Sequence, residues 1–203
     1  MQRSTTARRI GSVCRAVIVL GALGVAATAL PQGRDPARGA VKAKACEACH
    51  GNPERAPLPG TPWLAGQQND FLEAQMFLFR EGLREAPQMA GVLKGATDFD
   101  FLDMAAYFSR QTPPRIEAKR DPALHARGTK IAQGMGCGSC HLKDYRGQRH
   151  LPRVAGQRED YLAATMKAYR DNKRTGSDTS MNGILYRVPD ADIDALAHFL
   201  AHQ

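Results

Sequence analysis

Residues 46–50 read CEACH and residues 137–141 read CGSCH, so one pattern, C-x-x-C-H, occurs twice at a separation of 91 residues. C-x-x-C-H is the attachment motif of c-type haem. Its two-residue spacer brings both sulfurs to one edge of the porphyrin, where each thiol adds across a vinyl group, and the adjacent histidine then lies beneath the iron. The repeat therefore predicts two covalent haem c groups. The predicted attachment residues are Cys46, Cys49, Cys137 and Cys140, and the predicted proximal iron ligands are His50 and His141.

Three other chemistries use closely spaced cysteines, and the sequence favours haem over each of them. A thioredoxin-like redox pair does not need a histidine after each motif and wants a strand–helix context that is absent here. A zinc site built from both pairs would draw ligands from positions 91 residues apart and gains nothing from the histidines. Structural disulfides fit an oxidising compartment and stay open as a minor alternative.

The surroundings of the two motifs also match in order, which indicates a tandem duplication. The segment PWLAGQ at 62–67 corresponds to PRVAGQ at 152–157, and the Asp-Pro pair at 35–36 corresponds to that at 121–122. The offset between matched residues drifts only from 86 to 92, as small insertions and deletions in loops would produce. We predict haem domain 1 at 31–112 (copy one), a proline-containing charged linker at 113–119, and haem domain 2 at 120–203 (copy two).

Each copy is predicted to be all-α, with three main helices and long loops around its haem. The first helix of each copy begins at its Asp-Pro pair and runs into the cysteine motif. Apolar residues at helical spacing place the second helix at about 69–82, and its partner at 159–172. A capping box that starts at Thr97 opens the third helix, which is expected to end near 109, and its partner spans 189–202.

The N-terminal residues 1–30 are predicted to be an export signal, or an N-terminal anchor where cleavage does not occur. Arginines precede an uncharged apolar stretch at 16–29, and an A-x-A-like site at 27–29 places the mature start near Leu30. The folded part is therefore expected outside the cytoplasm, in the periplasm. No apolar run reaches the ~20 residues that a membrane span needs, so a multi-pass membrane protein is excluded.

The composition is that of a globular chain, with 24% charged and 43% hydrophobic residues. The formal net charge is +8 for the 203 residues. Residues 1–30 contain four arginines and no acidic residue, so the remainder carries 8 − 4 = +4. The lysines and arginines are dispersed and form no basic run, which argues against a nucleic-acid partner.

A sixth iron ligand decides whether each haem does chemistry or only passes electrons. Met89 and Met181 lie 39 and 40 residues after their histidines, each in a predicted loop and each followed two residues later by a glycine that permits close backbone approach. They are the predicted ligands, with an ordinary loop or core role as the alternative. Met76 and Met166 occupy apolar helix positions, where a core role fits better.

Histidine is the rival sixth ligand, but the remaining histidines have no counterpart in copy one. Symmetry therefore argues against them as ligands, and surface or linker roles are expected. They are His125, His150, His198 and His202.

The proximal imidazoles need an acceptor for their second ring N–H, because such a bond fixes the ring and its basicity. Pro62 and Pro152 lie 12 and 11 residues after their histidines, and we predict that their carbonyls accept this bond. Turning the chain is the alternative role for both prolines. Methionine–histidine ligation would raise the reduction potential of each haem, since a thioether favours Fe(II).

Taken together, these residues resemble the two-domain di-haem class I cytochromes c, specifically the cytochrome c4 type. The likeness rests on the paired C-x-x-C-H motifs, the P-x-L/V-A-G-Q segments and the methionines before a final amphipathic helix. It covers nearly all of the chain after the predicted signal. It implies two cytochrome c folds packed about a pseudo-twofold axis, histidine–methionine ligation, and a periplasmic electron shuttle that is soluble or loosely membrane-attached.

The expected function is that of an electron carrier, not an enzyme. The donor is expected to be a quinol-oxidising complex or a periplasmic dehydrogenase, and the acceptor a terminal oxidase or reductase. One alternative is the cytochrome subunit of a flavocytochrome-type dehydrogenase. Another is a haem peroxidase-like enzyme with one open iron, which would require the loss of Met89 or Met181 as a ligand.

Overall fold

The computed structural model describes residue 2 and residues 33–52, 54–113, 118–174 and 179–203. The signal predicted at 1–30 lies outside the described residues, apart from residue 2, and so do four residues of the linker predicted at 113–119. Residues 32–203 form one compact unit that contains both copies. The division of this unit into two haem domains stays a prediction.

The described residues are helical and contain no strand, only two isolated β-bridges, which agrees with the predicted all-α fold. Copy one contains α1 (Pro36–Ala43), α2 (Glu47–His50), α3 (Asn69–Arg80), a 3₁₀ turn (Pro87–Met89) and α4 (Asp98–Ser109). Copy two contains α5 (Pro122–Gly134), α6 (Cys137–His141), α7 (Glu159–Arg170), α8 (Ser180–Leu185) and α9 (Asp190–Ala201). The second and third helices predicted for each copy are present. The first helix of each copy does not run into the cysteine motif as predicted: α1 and α5 end at Ala43 and Gly134, and the motifs lie on the separate short helices α2 and α6. Helix α8 was not predicted either.

Local capping explains where several helices begin. The carboxylates of Asp35 and Asp121 each accept two backbone N–H groups in the first turn of α1 and α5, and proline follows at the first helical position. The predicted capping box at the start of α4 is confirmed: Thr97 accepts from the backbone of Asp100, whose carboxylate accepts from the backbone of Thr97.

The first and last helices of each copy cross at a glycine. A Cβ atom built on Gly39 of α1 would lie 2.0 Å from the Asp103 carbonyl oxygen of α4, and one built on Gly128 of α5 would lie 2.1 Å from the Ala195 carbonyl oxygen of α9. No Cβ atom tolerates such a distance, so the crossing requires glycine. The same backbone contact therefore closes the core of both copies.

The two copies fasten the start of their first helix with different side chains. In copy one the carboxylate of Asp103, only 2% exposed, accepts the backbone N–H of Asp35 at 2.8 Å. In copy two the Nε2 atom of His198 accepts the backbone N–H of Asp121 at 2.9 Å. His198 Nδ1 therefore carries the proton and donates to the Glu159 carboxylate at 3.0 Å. His198 is 5% exposed, so the surface or linker role predicted for it is wrong.

Within the described part of the chain, no helix combines the length and the apolar character needed to cross a bilayer.

We expect Gly128→Ala to lower the free energy of unfolding by about 1–3 kcal/mol, because the new methyl group must push α5 away from α9. The measurement is thermal or denaturant unfolding of the haem-loaded protein. Gly134→Ala, at the exposed end of the same helix with no atom within 4 Å of its built Cβ, is the matched control. It should leave stability unchanged or raise it by up to about 1 kcal/mol. Equal effects of the two substitutions would refute the glycine crossing.

Candidate haem centres

Both cysteine motifs lie on short helices that present the two sulfurs together. Cys46 caps α2 and Cys49 lies within it, while Cys137 and Cys140 both lie in α6. Positions three residues apart share one face of a helix. None of the four forms a disulfide with a described residue, and the first of each pair is half-buried while the second is exposed. Burial raises the pKa of the Cys46 and Cys137 thiols.

The proximal histidines have the same geometry in both copies. His50 Nδ1 lies 2.9 Å from the Pro62 carbonyl oxygen, and His141 Nδ1 lies 2.9 Å from the Pro152 carbonyl oxygen. Because a carbonyl can only accept, Nδ1 carries the proton in each ring and Nε2 keeps its lone pair. Burial lowers the pKa of both imidazoles, against the opposing effect of the carbonyl bond, and so favours the neutral form that binds a metal.

The backbone leaves the helical conformation directly after each histidine. Gly51 has φ +74°, and a Cβ atom there would lie 2.5 Å from the Arg55 carbonyl oxygen. In copy two Leu142 adopts φ 66° and ψ 163° at the matching position, a sparsely populated conformation that costs a residue with a side chain roughly 1–3 kcal/mol. The donor set of each copy, two thiols and a neutral imidazole with Nε2 available, fits a covalent haem c.

The two candidate methionines lie in different local structures. Met89 ends the 3₁₀ turn, and Gly91 after it has φ +75°. Met181 lies in α8 and not in the predicted loop, and Gly183 is part of the same helix. Both methionines are half-buried and pack against the core of their own copy. Residues 175–178, just before α8, lie outside the described chain.

A pair of arginines that the sequence analysis missed faces one tyrosine hydroxyl. A guanidinium nitrogen of Arg84 and one of Arg174 each lie 3.5 Å from Tyr161 Oη. The guanidinium of Arg84 also covers the ring of Phe79 at 4.5 Å, and that of Arg174 covers the ring of Tyr169 at 4.6 Å. The signal was available in the repeat, because both arginines follow their aromatic residue by five positions.

This arginine pair is a half-buried positive site. Burial lowers the pKa of Arg84. Burial alone would raise the pKa of Tyr161, but the charges of Arg174 and Arg84 outweigh it and lower that pKa to about 8. Neither guanidinium forms an ion pair with a described carboxylate, and the buried Nε of Arg174 has no partner among the described residues. Such a site suits carboxylates, and the propionates of haem are of that class.

Comparison with known proteins places the chain among cytochromes. The Cytochrome c family profile matches residues 125–203. Cytochrome c4 of Pseudomonas aeruginosa is 33% identical over 195 residues, which covers 91% of this chain and 94% of that protein. A thiosulfate dehydrogenase electron acceptor from Thiomonas intermedia is 32% identical over 199 residues, which covers 93% of this chain and 89% of that protein. The crystal structure of reduced recombinant cytochrome c4 from Pseudomonas stutzeri superposes with a TM-score of 0.77 at 31% identity, covering 83% of this chain and 98% of that one.

We expect the double substitution Cys46→Ser, Cys49→Ser to remove one covalent haem and leave the other, because each motif holds its haem independently. Denaturing mass spectrometry of the purified chain should show one haem mass fewer than the wild type. The mirror variant, Cys137→Ser with Cys140→Ser, is the control and should show the same loss. Retention of two covalent haems in either variant would contradict the assignment of the motifs.

Proposed function

The chain belongs to the cytochrome c4 family of di-haem cytochromes c, and from this premise we propose that it shuttles electrons in the periplasm between membrane or dehydrogenase complexes and a terminal oxidase or reductase. As a family member it binds haem c covalently, its two motifs fit two haems, and it serves electron transfer, not catalysis. The observation that carries the proposal is the repeated donor set, in which each imidazole is held at Nδ1 with Nε2 left for iron.

We propose that His50 and Met89 hold the iron of copy one and that His141 and Met181 hold that of copy two. The chemistry that bound haem supplies is one-electron exchange at iron. The two carbonyl bonds keep each imidazole in one tautomer, and each methionine is packed on the core of its own copy. An iron with no exchangeable ligand would keep the same ligands when it gains or loses an electron, which suits electron transfer.

The arginine pair extends the proposal to the haem edge. We propose that Arg84 and Arg174 bind propionate carboxylates and that the Tyr161 hydroxyl donates a hydrogen bond to these carboxylates. Two observations support this role: the guanidiniums of the half-buried arginines cover aromatic rings, and neither forms an ion pair with a described carboxylate. Four propionates would also offset the formal +4 of residues 31–203.

A near-zero total charge makes docking depend on the distribution of charge. We expect brief complexes with redox partners whose formation rates fall as salt rises, since surface charges steer association and are screened within ~10 Å at 0.1 M salt. Export to the periplasm, through residues 1–30, is part of this proposal.

A second candidate function is service as the electron acceptor, or the cytochrome subunit, of one dehydrogenase. The relative from Thiomonas intermedia, named as an electron acceptor of thiosulfate dehydrogenase, favours this candidate. A stable complex with a dehydrogenase on purification would support it, and a free monomer would favour the shuttle. The haem peroxidase-like alternative has no support among the relatives reported above.

The shuttle proposal is tested by a redox titration of the purified haem-loaded protein. We expect two one-electron transitions, and no change in the visible spectrum when cyanide or peroxide is added to the oxidised protein. Rapid uptake of either molecule at one iron would overturn the proposal, because it would mean that one haem has an exchangeable ligand.

We expect Met89→Ala and Met181→Ala each to abolish one methionine–iron charge-transfer band and to lower one reduction potential, since the thioether favours Fe(II). The measurements are the near-infrared edge of the visible spectrum and potentiometry. Met76→Leu is the matched control: Met76 packs against the copy-one core but has no predicted ligand role, so both bands should persist. If either alanine variant keeps both bands, that ligand assignment is wrong.

A further inference from the structure

Two buried glutamines bind across the boundary between the copies, each to one residue of the other copy. The side-chain oxygen of Gln157 accepts the backbone N–H of Trp63 at 2.8 Å, and its Nε2 donates to the Trp63 carbonyl at 3.0 Å. The side-chain oxygen of Gln67 accepts the backbone N–H of Arg153 at 2.6 Å, and its Nε2 donates to the Arg153 carbonyl at 3.0 Å. Both glutamines are 6% exposed.

The orientation of both amides is fixed by a further bond. The side-chain oxygen of Gln67 also accepts the backbone N–H of Gln68 at 3.0 Å, and that of Gln157 accepts the backbone N–H of Arg158 at 2.9 Å. An atom that faces two N–H donors must be the oxygen, so a flipped amide would lose both bonds. Each glutamine therefore presents an acceptor, and not a donor, to the N–H of the opposite copy.

The backbone groups that these glutamines bind belong to the peptide units that hold the proximal histidines. The Pro62 carbonyl, which accepts from His50, and the Trp63 N–H, which donates to Gln157, are the two ends of one peptide group. A hydrogen-bond chain thus runs from His50 of copy one to Gln157 of copy two.

The mirror chain has the same construction. The Pro152 carbonyl, which accepts from His141, shares its peptide group with the Arg153 N–H, which donates to Gln67. The two hydrogen-bond chains cross the boundary in opposite directions, so each one links a proximal histidine to a glutamine of the other copy.

A peptide group transmits polarisation because its C–N bond has partial double-bond character. When its N–H donates a hydrogen bond, its carbonyl oxygen becomes more negative and a stronger acceptor, an effect of roughly 10–30% per bond in a chain. A stronger acceptor at Nδ1 makes the imidazole more basic. A more basic ligand favours Fe(III) and so lowers the reduction potential of the haem it holds.

We propose that Gln157 and Gln67 are positioning residues that set the reduction potentials crosswise, Gln157 for the haem held by His50 and Gln67 for the haem held by His141. The inference goes beyond the proposed electron transfer and rests on its assignment of both histidines as iron ligands. Each potential then depends on a residue of the opposite copy.

The test is a redox titration of the full haem-loaded protein. NMR spectra recorded during the titration assign each transition to one haem. Gln157→Met fills the same space without the amide. It should raise the potential of the His50 haem by an approximately threefold change in its redox equilibrium constant, which is ~28 mV at 59 mV per tenfold change. The potential of the His141 haem should change much less, because its histidine is not part of this hydrogen-bond chain. Gln67→Met should give the mirror result.

Gln68→Met is the matched control. The Gln68 side chain also crosses the boundary and donates to the carbonyls of Arg146 at 2.8 Å and Gly147 at 3.3 Å. It makes no hydrogen bond to either peptide group that accepts from a proximal histidine. It should leave both potentials unchanged. If it shifts a potential as far as Gln157→Met does, a loosened boundary explains the effect and the crossed relay is refuted.

Two further results would overturn the inference: a shift confined to the haem of the mutated copy, or an equal shift of both haems. If Gln157→Met fails to fold, Gln157→Asn keeps the amide but is one methylene too short to reach Trp63, and should move the same potential in the same direction.

If the wild-type protein shows two one-electron transitions and no exchangeable iron ligand, but no crossed pattern appears, only this inference fails. If the wild type lacks two such transitions, the proposed function fails.

Discussion

The hydrogen bond from the proximal imidazole to a proline carbonyl, 2.9 Å long in both copies, is the interaction on which the site depends. It selects the tautomer that leaves Nε2 for iron, and it joins the cysteine motif to a loop that has no regular structure. With aromatic residues at only 6% of the chain, each copy has few large side chains with which to hold such a loop. The bond therefore serves the fold and the metal chemistry together.

The duplication shows which constraints are strict. Gly39 and Gly128 are both retained, because the crossing helices touch backbone to backbone and no side chain fits there. The aspartate that caps the first helix donates its backbone N–H to the carboxylate of Asp103 in copy one and to the imidazole of His198 in copy two. A hydrogen bond can be supplied by any acceptor that reaches its donor, so its residue type can change while its position in the fold does not.

The features that could be predicted from the sequence are those whose cause lies in neighbouring residues. The capping box at Thr97 and the start of the first helix of copy two at its Asp-Pro pair are of this kind. The helix at α8 was missed, because a glycine within six residues gives no apolar stripe to detect. The approach of Arg84 to Tyr161 joins residues 77 positions apart, and only the folded chain brings them together. Burial of His198 was missed for the same reason, since its partner Asp121 is also 77 positions away.

The hydrogen bonds of Gln67 and Gln157 connect the boundary between the copies to the proposed iron sites. A coupling between two sites acts equally in both directions. If the acceptor strength of Gln157 alters the iron held by His50, then oxidation of that iron alters the bond at Gln157. Oxidation makes the Nδ1–H of His50 a stronger donor, which draws electron density toward the Pro62 carbonyl and strengthens the Trp63 N–H as a donor. The boundary is then held more firmly in the oxidised protein than in the reduced one. In an electron carrier of this kind, the strength of the hydrogen bonds between the copies depends on how many electrons the haems hold, and no ligand needs to bind or dissociate.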